Sequence, residues 1–216
     1  MKKALIFDLD GTLLDTSRDI HKVLNATLKK FGLPEVTLSR TLGMVGDGAY
    51  KLVERAVGQE NAVLIPQIYA EYSKAFAACD NSMTCLFEGE AESLEKFVAV
   101  GLKLAIVTNK PQKATERVCS QYLAKFDFAE IIGYSGDFPL KPDPSAVLEI
   151  IGKFHLKKED CLFVGDGDAD VKTAANAGID CISVLWGYRT EESLLRIGAV
   201  KFAHSFKELE KLVFES

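Results

Sequence analysis

The sequence predicts an α/β fold: a doubly wound parallel β-sheet that carries a small helical domain inserted after its first strand. Three observations lead to this prediction. Short apolar runs rich in β-branched residues recur along the chain and barely alternate with polar residues, as in buried parallel strands. Helical patterns separate these runs. One long stretch after the first run holds helical patterns but no convincing strand.

The predicted strands are recognised by their apolar composition and by the polar residues that follow three of them. The first run leads directly into Asp8, a later one into Thr108, and another through a glycine into Asp166. Carboxyl ends of parallel strands meet at one edge of a sheet, where ligands bind in this fold class. We therefore expect these three residues to converge. The predicted strands are 4–7, 103–107, 130–134, 161–164 and 180–186.

Helices are predicted between these strands from apolar spacing and from residues that favour helix ends. Pro144 is placed to open one helix, because proline is well tolerated in the first turn. Gly178 is placed to cap the end of another. The predicted helices of this part are 91–100, 111–124, one from Pro144 onward, and 169–177.

The stretch from about residue 16 to residue 86 breaks the alternation of strand and helix. It reads as helices at 17–31, 48–57 and 62–78, which is too much chain for one crossover between strands. We predict a helical cap domain at 16–86 and a Rossmann-like core formed by 1–15 and 87–216, with the cap acting as a lid over the strand ends. The alternative is that these helices only pack beside the sheet.

Composition and charge exclude several classes of protein. The chain has 216 residues, 48% of them hydrophobic, and a net charge of −5, which does not favour binding of nucleic acid. No apolar run is long enough for a membrane span, and the first ends after four residues, too short for a signal peptide. The five cysteines include no Cys-x-x-Cys pair. We expect reduced thiols in a cytoplasmic protein, monomeric or homodimeric.

Asp8 and Asp10 form the first candidate for chemistry. Residues two apart on an extended segment point the same way, so the two carboxylates can share a site. Close carboxylates repel and need a metal or a shared proton. One can then act as a nucleophile and the other as an acid–base group, with Gly11 allowing a tight turn after them. An acidic turn without function is the alternative.

A second acidic turn follows the strand 161–164 and holds Asp166, Asp168 and Asp170. Hard cations such as Mg²⁺ prefer oxygen ligands, and this turn offers three carboxylates. A calcium-binding EF-hand loop is excluded, because Val171 and Ala177 stand where that loop needs glycine and glutamate. Asp168 or Asp170 alternatively caps the helix that follows.

Two further segments offer groups for an anion. Thr108 and Asn109 provide a hydroxyl and free backbone N–H groups before a helix, although a plain helix cap explains them equally well. Lys141 lies in a loop stiffened by Pro142 and Pro144, where a fixed ammonium can stabilise phosphoryl charge. An ordinary surface lysine is the alternative.

Taken together, the four segments resemble the haloacid dehalogenase-like hydrolase superfamily over nearly the whole chain. Asp8-x-Asp10-Gly11-Thr12 is similar to its first motif, Thr108 to its second and Lys141 to its third. Gly165-Asp166-x-x-x-Asp170 is similar to its fourth, and the helical stretch matches the cap inserted after the first motif.

The resemblance implies a phosphatase that uses Mg²⁺ and an aspartyl-phosphate intermediate. Asp8 would be the nucleophile and a metal ligand. Asp10 would be the general acid and then base, and would bind the metal through its backbone carbonyl. Asp166 would be the third protein ligand. Asp170 would lie outside the ligand set and orient Lys141 or a water near the metal.

The resemblance also implies groups that hold the substrate, a small phosphorylated metabolite. Thr108 and the N–H of Asn109 would hold phosphoryl oxygens, and Lys141 would balance charge. Gly11, Asn109 and Gly46 are assigned to substrate binding. Tyr188 and Arg189, after the last predicted strand, are expected to have an ordinary surface role.

Within the superfamily, the chain is most similar to the phosphoglycolate phosphatase group. Asp10 favours phosphate esters, since the dehalogenases and phosphonoacetaldehyde hydrolases lack an acid there. The segments 108–111 and 45–52 resemble that group, although an extra Gly43-Met44 and Glu88 depart from its pattern. Two alternatives stay open: a broad-range sugar-phosphate or nucleotide phosphatase, and a phosphotransferase similar to β-phosphoglucomutase. A non-enzymatic phospho-receiver is disfavoured by the length of the chain and by the cap.

Overall fold

The fold is organised around β1 (Ala4–Phe7), a strand whose four residues are completely buried. In the computed structural model, which describes residues 2–215, β1 lies near the centre of a parallel six-stranded sheet. Its neighbours are β4 (Lys103–Pro111) and β6 (Cys161–Gly165). The sheet continues through β5 (Phe128–Tyr134) beside β4, and through β7 (Asp180–Val184) and β8 (Phe202–Ala203) beyond β6, giving the order β5-β4-β1-β6-β7-β8.

Helices cover both faces of this sheet, as predicted for a doubly wound fold. Alternate residues of β1 point to opposite faces: Leu5 and Phe7 enter one apolar cluster, and Ala4 and Ile6 enter another. The first cluster includes residues of α5 (Glu90–Ala99), α6 (Gln112–Tyr122) and α10 (Phe206–Phe214), and the second includes residues of α7 (Ser145–Lys153) and α8 (Asp168–Ala177). A short helix, α9 (Glu191–Arg196), lies before β8.

The helical insertion, residues 16–84, leaves and rejoins the sheet through two adjacent short strands. These are β2 (Leu14–Asp15) and β3 (Cys85–Leu86), which pair antiparallel. Between them lie α1 (Ser17–Lys30), α2 (Leu38–Met44), α3 (Ala49–Val57), a 3₁₀ segment (Gln59–Leu64) and α4 (Ile65–Ala77). The insertion has its own apolar cluster, which includes Leu24, Val53 and Tyr72.

Several element boundaries differ from the sequence expectation. The strand predicted at 103–107 continues to Pro111, because Pro111 pairs with Tyr134 of β5, and α6 begins only at Gln112. The stretch predicted to lack a strand contains β3, and α2 was not expected. Gly178 caps α8 as predicted, with a left-handed φ of 73°.

Within residues 2–215, no helix is long and apolar enough to cross a membrane. The five cysteines carry free thiols, of which three are buried, Cys181 is half-buried and Cys85 is exposed.

Candidate active site

The strand ends place Asp8 and Asp166 side by side. Phe7 of β1 pairs with Val164 of β6, and the backbone N–H of Asp8 donates to the Val164 carbonyl at 2.9 Å. Thr108 lies on the neighbouring strand β4, so the three residues meet at one edge of the sheet, as predicted. Most of the predicted site residues line a single cavity there: Asp8, Asp10, Gly46, Thr108, Asn109, Asp166 and Asp170. Gly11 and Lys141 do not line this cavity, but Lys141 pairs with Asp8 and Asp170, which do.

Lys141 is buried between two carboxylates. Its Nζ lies 2.8 Å from Asp8 Oδ1 and 2.6 Å from Asp170 Oδ1, and its side chain is 3% exposed. Asp170 is fixed in turn, because its Oδ2 accepts the N–H of Gly167 at 2.8 Å. An ammonium in this position neutralises part of the charge that two buried carboxylates would otherwise carry unpaired.

The side chain of Asn109 stabilises the loop that contains Lys141. Its Oδ1 accepts the N–H of Lys141 at 2.7 Å, and its Nδ2 donates to the Lys141 carbonyl at 3.1 Å. The same Nδ2 donates to the carbonyl of Gly46, in the insertion, at 2.8 Å. The Asn109 side chain therefore connects β4 to the loop that contains Lys141 and to the insertion. Binding of a substrate by the backbone N–H of Asn109 stays a prediction.

Asp166 is packed so tightly that two glycines are required beside it. A Cβ on Gly11 would lie 2.6 Å from Asp166 Oδ2, and a Cβ on Gly187 would lie 2.3 Å from Asp166 Cβ. Gly11 also has a φ of 88°, which suits glycine. The carboxylate is oriented by the N–H of Tyr188, 2.7 Å from Oδ2, and by the hydroxyl of Thr12, 3.2 Å from Oδ1.

Burial and mutual repulsion shift the protonation of these carboxylates. Burial, together with the nearby charges of Asp170 and Asp8, raises the pKa of Asp166 to about 8. Burial also raises the pKa of Asp8 to about 6, against the opposing charge of Lys141. For Lys141, burial alone would lower the pKa, but the carboxylates of Asp170 and Asp8 outweigh that effect and raise it.

The carboxylates have the composition of a site for a hard cation. Oxygens of Asp8, Asp166 and Asp170 lie within 4.8 Å of one another, and all three residues are buried. Apart from the ion pair with Lys141, Asp8 Oδ1 is buried without a hydrogen-bond partner among residues 2–215. Buried carboxylate oxygens that lack a hydrogen-bond partner fit a site for Mg²⁺, which prefers oxygen ligands. Asp168, in the same turn, instead pairs with Arg189 Nε at 3.4 Å.

The carboxylate of Asp10 points away from this cluster toward the insertion. Its Oδ1 accepts from Lys110 Nζ at 2.8 Å and from the hydroxyl of Thr16 at 2.6 Å. A metal contact of Asp10 through its backbone carbonyl is compatible with this orientation and stays a prediction.

The loop after β7 joins the sheet to the insertion. Arg189 donates from Nη1 to the Leu42 carbonyl at 2.9 Å and from Nη2 to the Val45 carbonyl at 2.6 Å. The hydroxyl of Tyr188 lies 3.2 Å from the N–H of Thr16. The expectation of an ordinary surface role for Tyr188 and Arg189 is therefore wrong, because both line the cavity and contact the insertion.

A family model described as haloacid dehalogenase-like hydrolase matches residues 5–184, which is most of the chain. The chain belongs to this family. A phosphoglycolate phosphatase from Vibrio cholerae is 33% identical over 201 residues, covering 89% of this chain and 88% of that protein. Another, from Aliivibrio fischeri, is 31% identical over 199 residues, with 89% and 88% covered.

The fold agrees with this membership. The crystal structure of a protein from Lactobacillus delbrueckii subsp. bulgaricus is similar with a TM-score of 0.91 at 26% identity, covering 99% of both chains. The prediction of a haloacid dehalogenase-like hydrolase with a doubly wound α/β fold, related to phosphoglycolate phosphatases, is confirmed.

Sequence reasoning missed three site residues of this haloacid dehalogenase-like hydrolase. Lys110 was noted only as part of the segment around Thr108, and Tyr188 and Arg189 were assigned to the surface. Their partners lie far away in sequence: Asp10 for Lys110, and the insertion for the other two. Their positions in the sequence could have indicated a site role, because a lysine at a buried strand end and an arginine in the loop that follows a strand both face the edge where ligands bind in such a sheet.

Proposed function

We propose that the protein is a Mg²⁺-dependent phosphatase that hydrolyses small-molecule phosphate monoesters through an aspartyl-phosphate on Asp8, with 2-phosphoglycolate as its substrate. The supporting observation is the buried group of Asp8, Asp166 and Asp170, in which Asp8 and Asp170 pair with the ammonium of Lys141. The names of the relatives support the substrate. The experiment must distinguish this proposal from two alternatives, a broad-range phosphatase and a phosphotransferase similar to β-phosphoglucomutase.

In the first step, a carboxylate oxygen of Asp8 attacks phosphorus as the bond to the leaving oxygen breaks. Asp10 gives its proton to that oxygen, so the alcohol departs neutral. Thr108 and the N–H of Asn109 hold the phosphoryl oxygens, and Lys141 compensates the negative charge around Asp8. Electrostatic positioning of this kind supplies most of the catalysis in phosphoryl transfer.

In the second step, water replaces Asp8 on phosphorus. Asp10, now ionised, takes a proton from the water as its oxygen attacks, and the bond between Asp8 and phosphorus breaks. Inorganic phosphate leaves, and both carboxyl groups return to their starting protonation. The acid and the base are thus the same residue, used in turn.

Asp8 and Asp166, with the backbone carbonyl of Asp10, would hold the Mg²⁺. When bound, Mg²⁺ supplies positive charge that offsets the repulsion between Asp8 and the phosphoryl group. Asp170 stays outside the ligand set in this proposal, because its Oδ1 is engaged by Lys141 and its Oδ2 by the N–H of Gly167. It fixes Lys141 beside Asp8.

The insertion would act as the lid that excludes water during the reaction. In this proposal the cap is 16–86, the core is 1–15 with 87–216, and the loop around Gly46 faces the substrate. The contacts of Asn109 and Arg189 with that loop support the assignment. We place the protein in the cytoplasm, acting on a small phosphorylated metabolite.

The test is phosphate release from 2-phosphoglycolate, sugar phosphates, nucleotides and p-nitrophenyl phosphate, with Mg²⁺ and with chelator. We expect Mg²⁺-dependent release that is highest on 2-phosphoglycolate and that Asp8→Asn abolishes. Equal rates on many esters would indicate the broad-range enzyme. Dependence on a sugar bisphosphate would indicate the phosphotransferase. Release unaffected by Asp8→Asn would refute the mechanism.

A further inference from the structure

Lys110 places a buried positive charge in the active-site cavity, and the mechanism above does not use it. Its side chain is 2% exposed, and the residue lines the cavity. Nζ lies 2.8 Å from Asp10 Oδ1 and 4.6 Å from the centroid of the Phe76 ring. Burying an ammonium costs free energy unless it is paired and hydrogen-bonded, so Lys110 Nζ requires partners for its N–H groups.

Lys110 differs from the other cations of the site in its unused hydrogen-bonding capacity. An ammonium has three N–H donors, and Asp10 Oδ1 is the hydrogen-bond acceptor that the structure gives to Nζ among the described residues. Lys141, by contrast, pairs with both Asp8 and Asp170. The guanidinium of Arg189 is engaged by two carbonyls of the insertion and by Asp168.

The surroundings of Lys110 would strengthen its attraction for an anion. The insertion lines the cavity with uncharged residues throughout the described part: Ile20, Val45, Gly46, Gly48, Ala49, Leu52, Tyr72 and Phe76. A second anionic group on a bound substrate therefore meets no positive charge on that wall. In such apolar surroundings an ion pair is stronger than in water.

The position of Asp10 indicates which part of a substrate Lys110 would contact. In the proposed reaction, Asp10 protonates the leaving oxygen. Lys110 binds the same carboxylate and lies against the Phe76 ring of the insertion. In the proposed reaction it would therefore face the alcohol side of the scissile bond, whereas Lys141, paired with Asp8, would face the phosphoryl side.

We infer that Lys110 determines specificity by binding a carboxylate on the alcohol portion of the substrate. The preferred substrates are then phosphate esters of short hydroxy acids. The inference rests on the proposed phosphatase function and adds to it the residue that selects the alcohol. Lys110 would keep Asp10 in place through one N–H while a second N–H binds the substrate carboxylate.

The test compares three esters that differ only in the end group of a two-carbon alcohol: 2-phosphoglycolate, ethyl phosphate and O-phosphoethanolamine. The wild type should have its highest kcat/KM on the anionic ester and its lowest on the cationic one. Lys110→Met should lower the preference for 2-phosphoglycolate over ethyl phosphate by about 10- to 100-fold, the usual value of a charge-assisted hydrogen bond. Most of this change should appear in KM.

Two further variants control the comparison. Lys110→Arg keeps the charge and should keep the order of the three substrates, which separates loss of charge from misfolding. Lys113→Met removes an exposed lysine three residues further along the chain, in α6, and should leave the order unchanged. An equal loss on all three esters in Lys110→Met would overturn the inference, because Lys110 would then only position Asp10.

Binding without turnover gives a second measurement. In an Asp8→Asn background, calorimetry should show weaker binding of 2-phosphoglycolate when Lys110→Met is added, and little change for ethyl phosphate. Unchanged binding of 2-phosphoglycolate would overturn the inference even if the enzyme hydrolyses esters. Absence of turnover by the wild type, with the binding difference intact, would instead count against the proposed phosphatase function alone.

Discussion

Asp170 lies 2.6 Å from the Nζ of Lys141, and both side chains are at least 97% buried. Its carboxylate holds the ammonium that also pairs with Asp8. A buried ion pair of this kind is costly to break, because the remaining charge loses its partner. The pair therefore links the stability of the fold to the charge beside Asp8.

Asp170→Asn should reduce both activity and stability. It leaves Lys141 with a weaker partner, so we expect a loss of about 3–5 kcal/mol in the free energy of unfolding and an activity roughly 10- to 100-fold lower. Urea denaturation and kcat on 2-phosphoglycolate measure the two effects. Asp168→Asn is the matched control from the same turn, since that side chain is 41% exposed. Equal effects of the two variants would refute the special role of Asp170.

Arg189→Met should loosen the insertion over the cavity. The variant loses the hydrogen bonds to the carbonyls of Leu42 and Val45, so the end of α2 should exchange its amide hydrogens faster. We expect kcat/KM to fall about 10-fold, as for loss of one charge-assisted hydrogen bond. Hydrogen exchange over residues 38–46 measures the opening. Arg196→Met, at a 70% exposed arginine, should change neither quantity.

Gly187→Ala should weaken metal binding. The added methyl would lie 2.3 Å from Asp166 Cβ, so Asp166 or its loop must move. Overpacking of this kind costs about 1–3 kcal/mol, and displacement of Asp166 should raise the Mg²⁺ concentration needed for half-maximal activity. Gly152→Ala in α7 is the control, because its methyl meets no atom within 4 Å. If Gly187→Ala binds Mg²⁺ normally, Asp166 is not a ligand.

Glu90→Gln should stabilise the protein increasingly as pH rises. Glu90 is fully buried, its Oε1 has no hydrogen-bond partner among residues 2–215, and burial raises its pKa from 4.5 to about 8. The folded state therefore favours the protonated acid. The stability that protonated Glu90 contributes to the folded state is complete below pH 4.5 and is lost progressively as pH rises through 8.

The stability difference between Glu90→Gln and wild type should grow between these two pH values by at most about 1.4 kcal/mol per pH unit, and then level off. Urea midpoints at pH 5, 7 and 9 measure it. Glu88→Gln, at an exposed neighbouring glutamate, is the matched control. A flat difference for Glu90→Gln would mean that Glu90 is ionised in the folded protein.

Local patterns were sufficient to predict the parts of the site that lie at strand ends. Asp8, Thr108 and Asp166 each follow an apolar run, and parallel strands bring such positions together. β2 and β3 were not predicted, because a two-residue strand has no periodicity to detect. The partners of Lys110 and Arg189 were not predictable either, since Lys110 and Asp10 are 100 residues apart, and Arg189 and Leu42 are 147 apart.

The pairing of β2 with β3 makes the helical insertion replaceable. Asp15 and Cys85 are partners in adjacent strands, so the chain leaves and returns at almost the same point. A two-residue hairpin turn spans such a gap, and residues 16–84 can in principle be exchanged without altering the sheet. The cavity wall that the insertion contributes and the carboxylate cluster of the core are thereby encoded in separate stretches of chain, so one can diverge while the other is retained.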